Sequence, residues 1–77
     1  MGATAETGQI TGTRDKDYNV IWFTEQCLNN ALRLETYVQD AERANDSELA
    51  EFFRKAQHES QKGAEQGKQM LASRLGS

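Results

Sequence analysis

The chain has 77 residues, of which 12 are acidic and 9 basic, for a net charge of −3 at pH 7. That length holds one domain at most, with a core so small that a staple or a partner is needed. Mixed charge leaves no basic footprint for nucleic acid, a single cysteine rules out an internal disulfide, and no apolar run approaches the roughly 18–20 residues of a membrane span.

One thiol and no secretory leader fit a cytoplasmic protein. The chain has no proline and is rich in Ala, Glu, Gln, Lys, Arg and Leu, which predicts an all-α fold. For a small helical chain without disulfides, oligomerisation is the expected staple.

Residues 1–14 open with MGATAETGQITGT, small and polar with three glycines, and read as a disordered leader. Helical patterning then runs over 15–44. Asp15 and Asp17 suit a helix start, where carboxylates meet unpaired N–H groups. At about 100° per residue, Val20, Phe23, Cys27, Ala31, Leu34, Val38 and Ala41 fall on one face, widened by Ile21, Leu28 and Leu32. Tyr18, Trp22, Glu25, Asn29, Arg33, Thr36 and Asp40 fall on the other.

The pattern breaks at Ala44-Asn45-Asp46-Ser47. Asn45 tolerates the left-handed conformation that ends a helix, and Asp46 or Ser47 can cap the next one. A second helix is predicted over 47–75. Its inner face holds Leu49, Phe52, Phe53, Ala56, Ser60, Gly63, Ala64, Gly67, Met70, Leu71 and Arg74. Its outer face holds Glu51, Arg54, Lys55, His58, Lys62 and Glu65. Residues 76–77, Gly-Ser, read as a tail or cloning remnant. Two long helices on a short connection make an antiparallel hairpin. Two broad apolar stripes cannot be buried by one hairpin alone. The predicted solution is a homodimer forming a four-helix bundle, and the rival is docking onto a different protein partner.

Bundles of this kind can house carboxylate-bridged metals, from an inward Glu on one helix and Glu-x-x-His on the next. His58, the only histidine, lies about 180° from the inner stripe, beside Arg54, Lys62 and Glu65. A solvated helix face is favoured there, since Lys62 one turn on would repel a cation. Glu59 lies toward the flank of the stripe, outside any Glu-x-x-His. Glu35 and Glu42 lie near the first stripe, where pairing with Arg or Lys is favoured over metal binding. Glu25 is on the wet side. The alternative metal set is therefore Glu25, Glu35, His58 and Glu59, with iron as the metal, and it is not favoured.

Ser60, Gly63, Ala64 and Gly67 carry more information. Each glycine inside a helix costs about 1 kcal/mol relative to alanine, so close helix approach is predicted along them. Phe23, Trp22 or Phe52 would fill any recess, and a groove for an apolar ligand is the less favoured reading. Trp22, with Tyr18 one turn earlier, lies outside the stripe, as aromatics at an interface do. The expected interface set is Trp22, Phe23, Cys27, Leu34, Phe52 and Phe53. Cys27 faces the core, and buried thiols are inert. No Ser/His/Asp arrangement and no Gly-rich phosphate loop is present, so no catalytic residue is assigned.

The run LRLETYVQDAERANDSELAEFFRKAQHESQKGAEQ resembles half of a ferritin-like domain of the rubrerythrin and encapsulated-ferritin type, including the cyanobacterial-type ferritin-like domains. The likeness covers roughly Asp17 to Leu75 and rests on Tyr37, the turn region and the AQHESQKGAE tail. It implies a half-domain that dimerises. It also implies ligand positions: Glu-x-x-His would fall on Ser60 and Gly63, and the first-helix glutamate near Asn29 or Asn30, with Cys27 another candidate. None of these residues is a strong ligand for a hard metal. The resemblance thus implies a ferritin-like bundle without a di-iron site, acting as an assembly or binding module. The alternatives are an iron-binding oxidase or peroxidase with altered ligands, and an accessory domain that docks onto an enzyme or an apolar ligand.

Overall fold

A computed structural model describes residues 6–76. The chain is all-helical over this range: a one-turn helix α1 (Gly8–Thr11) followed by two long helices, α2 (Asp15–Arg43) and α3 (Ser47–Leu75), which pack together along their length. Residues 1–5 of the predicted leader, and Ser77, lie outside the described residues.

Residues 6–14 carry a connection into α2. α1 ends at Gly12, whose φ of 77° is open to glycine, and the Gly12 N–H donates to the Gly8 carbonyl. The physical reason lies in the start of α2. Arg14 at the N-cap offers no side-chain acceptor, yet the first N–H groups of a helix need one. Glu6 supplies it, accepting from the Asp15 N–H at 2.7 Å. The Asp15 carboxylate in turn accepts from the Thr7 N–H at 3.2 Å and from the Thr7 hydroxyl.

The turn between α2 and α3 follows from three residues. Asn45 takes the left-handed conformation, φ 58°. The Asp46 N–H then donates to the Ala41 carbonyl at 2.9 Å and the Asn45 N–H to the Glu42 carbonyl at 3.0 Å, the paired bonds of a Schellman ending. Asp46 also caps α3, its Oδ1 accepting from the Leu49 N–H at 3.0 Å. One residue therefore closes one helix and opens the next.

The seam between the long helices keeps a repeat of 3.5 residues, not 3.6. In α2 the residues drawn out of solvent are Asp17, Val20, Thr24, Cys27, Ala31, Leu34, Val38 and Ala41, in alternating steps of three and four. In α3 the matching positions run Ala50, Phe53, Gln57, Ser60, Ala64, Gly67 and Leu71, with Arg74 next in phase. This is the heptad seam of helices that coil around each other. The antiparallel register is fixed by cross-seam contacts. Asp17 pairs with Arg74 at 3.3 Å, Asn30 Nδ2 donates to Ser60 Oγ at 2.8 Å, and Gln57 Nε2 donates to the Ala31 carbonyl at 3.1 Å.

Two expectations are corrected. Thr24, not Phe23, is buried on α2, and Ala50, not Leu49, on α3. The stripes drawn at 3.6 residues per turn hold most seam positions along both helices but are wider than the seam, so they also take in residues of one flank. Phe23, Leu49 and Phe52 sit on that flank. Phe23 and Phe52 are 53% and 63% exposed, and no large side chain among the described residues is fully buried. The chain measures 51 × 32 × 15 Å, a single layer of helices.

Candidate functional site

From Thr24 to Ala31 and from Ser60 to Gly67 the seam is built from small side chains because it is narrow there. A Cβ at Gly67 would strike the Thr24 hydroxyl and approach Thr24 Cβ to 3.1 Å. Thr24 cannot swing away freely, since its Oγ1 donates to the Val20 carbonyl at 2.7 Å. A Cβ at Gly63 would lie 2.9 Å from Cys27 Sγ and 3.5 Å from Phe23 Cζ. Of the three aromatics expected to fill this recess, Phe23 is the one at Gly63. Ala64 and Gly67 are buried, and Cys27, Ser60 and Gly63 are half-buried.

The positions where the ferritin-like resemblance implies ligands face one another across this seam. Asn30 is hydrogen-bonded to Ser60, and Cys27 touches Gly63. An amide, a hydroxyl, a thiol and a glycine make a weak donor set for a hard cation.

Glu25, Glu35, His58 and Glu59 are scattered. All four are exposed, and among the described residues no three His, Cys, Asp or Glu side chains gather closely enough to share an ion. Glu25 accepts from Gln26 at 2.7 Å, and Glu59 lies 3.9 Å from Lys62. Glu35 accepts from Gln57 Nε2 at 3.0 Å and Gln39 Nε2 at 3.2 Å. The Gln57 hydrogen bond, then that from Gln39, holds the Glu35 carboxyl below the ordinary carboxylate value, and the Arg54 charge adds to this. Glu42 is paired across the hairpin with Arg54, which sits at the flank and not on the far side predicted for it.

The two open faces of the layer differ. One bears Phe23, Tyr37, Leu49, Phe52 and Met70, with Ala56 and Gly63 between them. Its turn end is an aromatic cluster: Tyr37 and Phe53 rings lie 5.3 Å apart, and Phe52 and Phe53 rings 5.5 Å. Two open grooves mark its ends, one of about 310 Å³ beside Val20, Phe23, Gly67 and Met70, the other of about 320 Å³ beside Tyr37, Ala41, Leu49 and Phe53, with Asp40 and Asp46 also in its lining. Of Ser60, Gly63, Ala64 and Gly67, only Gly67 borders the open-end groove. The opposite face carries Ile21, Leu28 and Leu75, interrupted by Glu35, Glu42, Arg54 and Lys68. Trp22, 61% exposed, stands outside the seam. Among the residues predicted for an interface, Leu34 is buried and Phe53 half-buried within the hairpin itself.

Tyr37, Leu49 and Met70 were not among the predicted site residues. Their signal was the spacing of seven residues, which places Phe23 with Tyr37, and Leu49, Ala56, Gly63 and Met70 together, along one flank of the heptad. No helix among the described residues is long and apolar enough to cross a membrane. A scan against family models and searches of curated proteins and of solved structures find no match to this chain.

Proposed function

We propose that the chain is a non-catalytic assembly module in which two copies combine, hairpin on hairpin, into a four-helix bundle of the ferritin-like kind without a di-iron site. The observation that carries this reading is the single layer. Domains are built from at least two packed layers, because each helix must bury its apolar stripe against another element. Here the seam takes Leu34 and Val38 and otherwise mostly small residues, and leaves Phe23, Leu49, Phe52 and Met70 outside. The radius of gyration is 16.9 Å, against about 11.5 Å for a compact chain of this length. A second hairpin supplies the missing layer. The resemblance to ferritin-like half-domains, which can dimerise, agrees with this.

Sedimentation equilibrium or light scattering, with circular dichroism on the same sample, tests the proposal. A helical dimer at micromolar concentration is expected. A stable, fully helical monomer at that concentration would overturn it.

A further inference from the structure

We infer that the second copy seats on the face bearing Phe23, Tyr37, Leu49, Phe52 and Met70, with both turns at the same end and Arg33 of each chain opposite the partner's Glu59. This rests on the dimeric reading above.

The area argues for a partner of this size. The chain exposes 5883 Å², whereas a compact monomer of 8.7 kDa exposes about 4,700 Å². The excess of about 1,200 Å² exceeds the about 800 Å² that each partner buries in a standard interface. A second copy of the same slab is the partner whose dimensions match it.

Polarity selects the face. Between Asp17 and Arg74, the seam-flanking positions on the aromatic side hold no charged residue. The same positions on the other side hold Glu35, Glu42, Arg54 and Lys68, and the Glu42–Arg54 pair crosses there. Covering that side would strip water from four charges at high cost, while aromatics and methionine are the residues enriched in interface centres.

The grooves and the charges select the orientation. With the turns together, α2 of one chain lies over α3 of the other at the same height along the seam. Phe52 then meets the turn-end groove beside Tyr37 and Ala41, and Met70 meets the open-end groove beside Val20 and Phe23. At the rim, Arg33 comes level with the partner's Glu59. Arg33 has no carboxylate within 4.0 Å among the described residues, and Glu59 has only the Lys62 contact at 3.9 Å. With the turns at opposite ends, Arg33 and Glu59 would each face neutral glutamines.

Sedimentation velocity on purified full-length chain, with helicity measured alongside, tests the face and the orientation separately. Phe52→Lys should weaken dimerisation by about 30-fold or more, the loss of one central anchor, with helicity lost and regained together with the dimer as concentration is raised. Leu32→Lys, on the opposite side, should leave the dimer unchanged. Arg33→Glu and Glu59→Arg should each weaken it about threefold, and the double swap should restore it. A dimer that survives Phe52→Lys but is broken by Leu32→Lys overturns the face and leaves the dimeric reading standing. Absence of rescue in the double swap overturns the orientation. A monomeric wild type overturns the dimeric reading, and this inference with it.

Discussion

At its turn end the hairpin closes on Leu34, Val38, Ala41 and Ala50, all buried. Asn45 and Asp46 complete both helix ends there. At its open end it closes on Thr24 against Gly67, with Phe23 lying over Gly63 at the flank and the nearby Trp22 and Met70 exposed. The turn end is held by local backbone chemistry and short-range contacts. The open end is held by fit: two backbones come close because one residue lacks a Cβ and its neighbour is locked by a hydrogen bond. Close approach between parts of the chain some forty residues apart thus depends there on a single missing atom, beside the Asp17–Arg74 pair that also spans this end, and the large apolar groups there stay exposed.

The sharpest way to break this contrast is Gly67→Ala. In an isolated helix alanine would be better by about 1 kcal/mol. Here overpacking against Thr24 costs about 1–3 kcal/mol, so net destabilisation is expected, and Thr24→Ala should relieve most of it. Urea denaturation at one fixed protein concentration reads both, and a more stable Gly67→Ala chain would show that the seam opens freely. Asp46→Ala acts on the other half. Loss of the cap should cost about 1 kcal/mol, with faster amide exchange confined to the first turn of α3. Equal exchange at the open end would show that the halves are not independent.

The smallest effect concerns Glu35. Its carboxyl titrates lower in the folded chain than in the unfolded one. The stabilisation this represents is therefore present above the ordinary carboxylate range and fades as pH falls through the lowered value. Gln57→Leu removes the leading cause, so the Glu35 midpoint should rise toward its ordinary position. Carboxyl-resolved NMR titration checks this, and an unmoved midpoint would assign the shift to other neighbours.

The all-helical class, two long helices and the turn between them were legible in the chain because their causes are local. Helix formers without proline, an Asn that accepts positive φ and an Asp that accepts N–H bonds act within a few residues of themselves. The glycines were legible as a request for close approach. Which residues would be inside was not. Thr24 and Ala50 replaced Phe23 and Leu49 because the seam is narrower than the apolar stripe, and only the second helix fixes which edge of that stripe lies inside. The pairing of Glu42 with Arg54, the Gln57 bond to Glu35 and the gathering of Phe23, Tyr37, Leu49 and Met70 on one face likewise follow from register, which exists only once the second helix is in place. By itself the sequence determined the elements and their ends. The tertiary structure decided that Thr24, Ala64 and Gly67 pack inward while Phe23, Phe52 and Met70 face out, because the closest approach of two backbones is open only to small side chains.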